Sequence, residues 1–437
     1  MKIINIAILG LGVVGSHVVK LLEKNSFKLN NTKYKIIAIG AKNKNKKRNF
    51  DIKKYNWIKS YQDLSNGQKP DLIIETIGGT GSYINNLYSY CVDNEISLIT
   101  ANKAQLAEKG HLFFGNFDKK NLFLGFEAAV LGAVPVVRGI EQSILPSKVK
   151  AIYGIFNGTT NYIISQMYEN KISFKDSLNQ AIKNGFAEQD SSADLSGRDA
   201  THKLVLLSNL SFGHKFKFSD LSFDGIENIK LIDLEQGLKL GYKLKLVYIS
   251  EQHKNKFYSS VAPCFIPENS LVANTNFEEN VISLEGDDFL KTSLVGKGAG
   301  GYPTATSIIS DLKKFALHRP EYGVFQIKYS NMPNASFFDQ STRKRPYYIR
   351  MSVSNKVGVL KSIANLFAQK SISIKSLIQL NTSNDKVVPI IIISDATDVS
   401  KINHVVKNLK KSSFLKKEIS VIRIEEKIGL KSCYWVS

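Results

Sequence analysis

Residues 3–9 (IINIAIL) form an apolar run that leads without interruption into Gly10-Leu11-Gly12-Val13-Val14-Gly15 and then SHVVKLLEK. Few patterns restrict a backbone so tightly. The glycines let a buried strand turn sharply, let the chain approach a pyrophosphate, and let the next helix pack closely on the strand. The N-terminus of that helix then offers unpaired N–H groups to an anion. The pattern predicts a strand–turn–helix dinucleotide site built from Gly10, Leu11, Gly12, Val13, Val14 and Gly15. The opening MKIINIAILGLGVVG also has the apolar content of a signal peptide, but no separate cleavage region follows it, so a buried first strand is the better reading.

The following segments continue the theme. YKIIAIG (34–40), DLIIETIGG (71–79), ISLITANK (96–103) and NLFLGFEAAV (121–130) read as strands separated by helical stretches. That alternation predicts a parallel, doubly wound α/β sheet of Rossmann type over residues 1–134. Ligands of such sheets lie beyond the carboxyl ends of the strands, where Gly10, Thr76, Gly78, Thr100 and Lys103 fall.

After about residue 135 the order changes to an α+β pattern, with strands at 149–157, 243–250, 256–266 and 271–276 and a helix at 195–212. A glycine-rich loop, SLVGKGAGG, feeds a helix at 303–317 that is expected to pack back on the first domain. Residues 318–345 are polar and irregular and read as a linker. From 346 to 437 the order is strand, helix, strand, strand, helix, strand, a ferredoxin-like unit. A chain of 437 residues is long enough for two or three such domains.

The formal charge is +21. Basic chains can bind nucleic acid. Here the lysines are spread throughout among many Asn and Ile residues, which is the composition of an AT-rich genome, and no nucleic-acid motif is present. No run approaches the roughly 18 apolar residues of a membrane helix. Cys91, Cys264 and Cys433 are scattered, which argues against a disulfide framework or thiolate metal site and for a reducing cytoplasm.

Two places carry chemistry. After the second strand, where an acid commonly holds the ribose of NAD, the sequence IGAKNKNKKRNF offers Lys42, Lys44, Lys46, Lys47 and Arg48, which favours NADP over NAD. In GFAEQDSSADLSGRDATHK (185–203), Asp199 and Lys203 are four apart and share a helix face. A surface ion pair would show the same spacing. Glu188, just upstream in a glycine-containing turn, shifts the balance toward a site for a small zwitterion.

The ordered segments GLGVVG, ETIGG, TANK, FEAAVLGAVP, GIFNGTTNYI, GFAEQDSSADLSGRDATHK and GKGAGGYPTA span essentially the whole chain, which resembles homoserine dehydrogenase in its long form with a C-terminal ACT domain. The resemblance implies NAD(P)H-dependent interconversion of L-aspartate 4-semialdehyde and L-homoserine, on the route to threonine, methionine and isoleucine. It implies Lys203 as the proton donor, with Gly185, Glu188 and Asp199 around the substrate, and Lys103 and Gly300 beside cofactor and substrate. It further implies a monovalent cation, Na+ or K+, on Glu127 and the backbone of Val130, Gly132 and Val134, and a homodimer or homotetramer.

The chain departs from the family pattern in two places. Gly40 and Ala41 stand where bacterial members often carry an arginine. The loop SNKVGVL (354–360) has Asn355 and Val357 in place of an acid and a proline, so the response to threonine is expected to be weak. A sensing protein that binds nucleotide and amino acid without turnover is the competing reading, but it has no need of Glu188, Asp199 and Lys203 together. Aspartate semialdehyde dehydrogenase is disfavoured because neither Cys91 nor Cys264 lies in a turn suited to a nucleophile.

Overall fold

The computed structural model describes residues 2–24, 32–144, 147–317, 323–339, 341, 343–380, 386–417 and 419–428. The N-terminal region runs β1 (Lys2–Leu9), α1 (Val13–Glu23), β2 (Thr32–Gly40), β3 (Trp57–Ile58), β4 (Leu72–Glu75), α2 (Ser82–Asp93), β5 (Ser97–Thr100), α3 (Lys103–Lys109), α4 (Phe114–Lys119) and β6 (Leu124–Gly125). Its six strands are ordered β3-β2-β1-β4-β5-β6, the dinucleotide-fold order, with its switch point between β1 and β4. The central strand is buried on both faces: Ile4, Ile6 and Ile8 join one core, and Ala7 and Leu9 the other. A parallel sheet covered by helices on both sides requires this.

The middle region runs α5 (Val136–Gly139), β7 (Val149–Ile155), α6 (Gly158–Asn170), α7 (Phe174–Lys183), α8 (Ser192–Leu195), α9 (Arg198–Phe212), β8 (Ser222–Phe223), α10 (Leu231–Lys239), β9 (Tyr242–His253), β10 (Lys256–Pro267), α11 (Leu271–Asn274), β11 (Glu279–Gly286), β12 (Leu290–Lys297) and α12 (Gly301–Ala316). Ala305, Ile308, Ile309 and Leu312 of α12 pack with Ile4, Ile6 and Ile8 of β1, so this helix closes one face of the first sheet. The tail runs β13 (Tyr347–Ser354), α13 (Val359–Ala368), β14 (Ile374–Gln379), β15 (Val387–Ser394), α14 (Val399–Lys410) and β16 (Ser420–Ile424). Its strand order, β16-β13-β15-β14, is that of a ferredoxin-like sheet.

Two expectations need correction. Residues 271–276 are not a strand. The Ser270 hydroxyl accepts the Ala273 N–H (3.2 Å) and starts the short α11, a local cap that outweighs the extended preference of Val272. Residues 323–339, read as linker, are irregular but anchored. Val324, Phe325 and Met332 are buried, and Asp118 accepts the N–H groups of Val324 (2.7 Å) and Tyr329 (2.6 Å). Lys215 and Phe257 of the middle region bridge to Asn334 and Phe337. The segment therefore straps the first two regions together. Its aromatic residues, thinly spread among polar ones, carry no periodic signal.

The tail sheet is not separate from the middle one. β16 pairs in parallel with β10 at Arg423↔Cys264 and Ile424↔Phe265, which gives a continuous sheet β12-β11-β7-β9-β10-β16-β13-β15-β14, with β8 also on β10. Charged groups reinforce the join. Arg350 of β13 grips buried Asp233 of α10 through Nε (2.6 Å) and Nη2 (3.0 Å). Arg345 meets Glu425 at 2.5 Å, and Arg343 meets Glu251 at 3.2 Å.

Removing one partner of a buried pair strands the other charge. Arg350→Met is therefore expected to lower unfolding free energy by about 3–5 kcal/mol, and adding Asp233→Leu should recover most of that loss. Denaturant titration of the single and double variants measures both.

Candidate active site

The nucleotide cleft opens where β1 and β4 end. Gly10 holds φ at +93°, and a Cβ there would meet the Thr76 carbonyl carbon at 2.5 Å. A Cβ on Gly15 would meet the Gly10 carbonyl oxygen at 1.9 Å, whereas one on Gly12 would meet nothing within 4 Å. Gly10 and Gly15 thus serve the turn and the helix contact, and Gly12 faces the space a diphosphate would take. The Thr76 hydroxyl donates to the Gly10 carbonyl (2.6 Å) and ties the two strand ends together. Leu11 is buried, Val14 is half-buried, and Val13 stands exposed at the start of α1. The cleft, about 470 Å³, is lined by Gly10, Gly12 and Thr76 and by Lys42, Lys59 and Ser60 at the ends of β2 and β3.

Residues of the basic loop differ in their availability. Arg48 donates to the carbonyls of Asn43, Lys44 and Lys46 and to that of Leu11, so it holds the loop in shape. Lys42 faces the cleft. Lys59 and Ser60 were missed in the sequence, because only the sheet order brings β3 beside β2.

The Thr100 hydroxyl is turned inward. It donates to the buried Glu75 carboxylate (2.6 Å), which also accepts the N–H groups of Ile77 (2.5 Å) and Gly78 (2.9 Å). This network shapes the ETIGG turn. Asn102 then links that turn to the next element: its Nδ2 donates to the Gly79 carbonyl (2.7 Å), and its Oδ1 caps α3 at Gln105 N (3.1 Å). Lys103, the first residue of α3, is thereby held close to the 76–79 turn.

Two ammonium groups meet on Asp199. Its Oδ1 is 3.0 Å from Lys103 Nζ, and its Oδ2 is 3.1 Å from Lys203 Nζ. Lys203 is only 7 % exposed, and it also donates to the Phe156 carbonyl (2.6 Å) at the end of β7. Phe156 is stacked on Tyr248 at 4.7 Å, which fixes that carbonyl. Asn157 donates to Asp199 (3.0 Å) and to Asp194 (2.6 Å) while its Oδ1 caps α6. Sequence reasoning assigned no role to Asn157 or Asp194, although Asn157 lies in the NGTTNYI motif.

Electrostatics follow from this arrangement. Burial alone would raise Asp199, but the Lys203 and Lys103 ammonium groups hold its carboxyl well below the usual range. Burial, and then the Asp199 charge, push Asp194 up. Asp199 raises Lys103 against the opposing effect of burial, with smaller contributions from Asp194 and Glu188. Gly185 (φ +77°) and Glu188 lie on an exposed turn. That turn is placed by the Thr159 hydroxyl on the Phe186 carbonyl (2.9 Å) and by the Tyr162–Phe186 stack (4.2 Å). Gly300 (φ +126°) starts α12, whose Gly301 abuts His17 and Val13 of α1.

Around Glu127 the donors are oxygens. Its carboxylate accepts the N–H groups of Val137 and Arg138 (2.9 Å each). The Gly132 carbonyl accepts the Ser307 hydroxyl and the Val134 carbonyl the Val136 N–H. Carboxylate and carbonyl oxygens each retain a second lone pair.

An open glycine turn at the switch point of a Rossmann-order sheet, linked through the 76–79 turn, Asn102 and Lys103 to a buried carboxylate holding two ammonium groups, defines an oxidoreductase of the nucleotide-dependent dehydrogenase class. Residues 10–120 match the homoserine dehydrogenase NAD-binding domain, residues 135–312 homoserine dehydrogenase itself, and residues 349–413 the AHAS small subunit-like ACT domain. The homoserine dehydrogenase of Neisseria gonorrhoeae is 31% identical over 435 residues, covering 97% of this chain and 99% of that one. The Helicobacter pylori homoserine dehydrogenase is 30% identical over 430 residues, covering 97% and 99%. The crystal structure of a homoserine dehydrogenase from Thiobacillus denitrificans matches with a TM-score of 0.88 at 27% identity, covering 98% of this chain and 99% of that one. The chain belongs to the homoserine dehydrogenase family.

Asp199→Asn removes the charge that raises Lys103, so the ammonium at 103 loses its proton at lower pH. The alkaline fall of kcat/KM is then expected to begin at lower pH than in the unaltered enzyme. An unmoved alkaline limb would show that the Lys103 charge is not needed.

Proposed function

We propose that the chain interconverts L-aspartate 4-semialdehyde and L-homoserine with a nicotinamide nucleotide, and that Lys203 moves the proton. The observation that carries this reading is the buried Asp199 carboxylate holding Lys203 and Lys103 at 3.1 and 3.0 Å, with Lys103 following Asn102, which is bonded to the turn after β4. When bound, the nicotinamide supplies or accepts the hydride. Two N–H bonds of Lys203 point to Phe156 and Asp199, leaving one for the substrate oxygen. As negative charge develops on that oxygen, the ammonium stabilises it and gives up a proton. In the reverse direction the neutral amine takes the hydroxyl proton. Lys103 stays charged and serves as a fixed cation. Glu188, exposed on the Gly185 turn, suits the substrate ammonium as a charge-assisted acceptor.

We infer that NADPH is preferred over NADH. Gly10, Gly12 and Thr76 would hold the diphosphate region, and Lys42, Lys59 and Ser60 line the part of the cleft at the ends of β2 and β3, where a 2′-phosphate would meet two ammonium groups and a hydroxyl. Glu127 and the carbonyls of Val130, Gly132 and Val134 would supply an all-oxygen donor set, the kind that suits a hard monovalent cation such as Na+ or K+. The division into domains at residues 134, 317 and 345 is our assignment, supported by the matched spans 10–120, 135–312 and 349–413. A homodimer or homotetramer in the cytoplasm fits the family and the free, buried Cys91 and Cys264. No helix among the described residues is long and apolar enough to cross a membrane.

Lys203→Ala should bind NADPH as the unaltered chain does, by fluorescence titration, while turnover of the semialdehyde falls by about 10²–10⁴-fold. Equal turnover would remove Lys203 from the chemistry. kcat/KM should be higher with NADPH than with NADH, and Lys59→Ala should narrow the gap. Replacing choline chloride by NaCl or KCl at constant ionic strength should raise Tm, and Glu127→Gln should abolish that rise.

A further inference from the structure

α9 carries two side-chain pairs, each with a spacing of four, offset by a single residue. Asp199 and Lys203 make the active centre. Arg198 and His202 face a different partner, Glu108 near the end of α3. Glu108 Oε1 lies 2.8 Å from His202 Nε2 and 2.7 Å from Arg198 Nη2. The His202 side chain is 7% exposed and that of Glu108 20%. The His202 ring packs on Phe218 at 4.8 Å, and the Arg198 guanidinium lies over the same ring at 5.2 Å. Burial pulls His202 below its ordinary value despite the nearby carboxylate. An ionised carboxylate can only accept, so the hydrogen bond runs from His202 Nε2 to Glu108.

These contacts cross a domain boundary. α3 belongs to the nucleotide-binding region and α9 to the middle region. Lys103, at the start of α3, reaches Asp199. Glu108, at the other end of this short helix, reaches His202 and Arg198. Asn102 caps the N-terminal end of α3 and ties it to the 76–79 turn, and the Glu108 contacts hold the other end against α9, so the two together set the angle at which α3 lies on α9. We propose that Glu108 and His202 are positioning residues, a two-point clamp that locks α3 on α9 and so holds the Lys103 ammonium in register with Asp199 and Lys203.

The inference rests on the activity assigned above, and its test separates the two. Misplacing a reacting group by about 1 Å can cost up to about 100-fold. Glu108→Ala is expected to lower kcat/KM for the semialdehyde by about tenfold, with NADPH affinity unchanged. His202→Leu, which keeps volume against Phe218 but has no proton to donate, should do the same. His202→Gln restores a donor and should recover most of the loss. Glu108 acts through Lys103, so in a Lys103→Ala background Glu108→Ala should cost less than about twofold more. Equal losses in both backgrounds, or no loss in the unaltered background, overturn the clamp. A second readout needs no turnover. Amide hydrogen exchange over residues 103–109 should accelerate in Glu108→Ala, or in His202→Leu if the first variant does not fold, while β1 and β4 keep their protection. Unchanged exchange overturns the clamp even if the unaltered chain proves inactive on the semialdehyde, an outcome that would by itself sink only the assigned activity.

Discussion

Asp199 is a single carboxylate between two ammonium groups, deep in the protein, and the site depends on that arrangement. An isolated charge in that position would be neutralised by burial. Two lysines from different domains hold its carboxyl low against burial, and it in turn raises Lys103. The surrounding elements are arranged to deliver these groups. β7 ends at the Phe156 carbonyl and at Asn157, α9 supplies the carboxylate and its nearest lysine, and α3 brings the second lysine from the nucleotide side. α9 is buried from Asp199 to Ser211. A helix enclosed on all sides would ordinarily be apolar throughout. Here several of its polar positions have a partner: Asp199 two lysines, Thr201 the Gly197 carbonyl, His202 the Glu108 carboxylate, and Asn209 the Phe216 N–H, whereas the Ser208 and Ser211 hydroxyls have none among the described residues.

Much of this was legible because it is local. The turn from Gly10 to Gly15 is set by steric demands that no distant residue alters, and the apolar strands on either side reveal the parallel sheet. Lys203, Asp199 and Glu188 share one segment, and the tail strands alternate regularly enough to expose their order. Contacts made by topology were not legible. Lys59 and Ser60 reach the cleft because a two-residue strand pairs beside β2. Arg48 looked like an anion ligand, yet it braces its own loop. The Thr100 hydroxyl fell at a ligand-side strand end but turns toward Glu75. Asp194 and Asn157 are ordinary polar residues in sequence, and join the cluster around Asp199 only when α6, α8 and α9 converge.

The misread segments fail for a similar reason. Val272 favours an extended chain, yet Ser270 caps a turn. Between 323 and 339, Phe325, Tyr329 and Phe337 are too irregularly spaced to announce a core, but Phe114 receives both Phe325 (4.9 Å) and Tyr329 (5.3 Å). Aromatic burial without periodicity is invisible to a reading based on period.

The parallel join of β16 to β10 has a consequence for how copies of this protein behave in a crowded solution. Any sheet with unpaired margins is a template on which more chain can grow. Among the described strands the merged sheet has its outermost members at β12 and β14, with Lys291 and Lys297 on the first and Lys375 on the second. Had the tail folded apart, two further margins would have been open, at β10 and at β16, the latter lined with Val421 and Ile422. Pairing them edge to edge at Arg423 and Ile424 closes part of both margins and leaves β12 and β14 as the outermost strands.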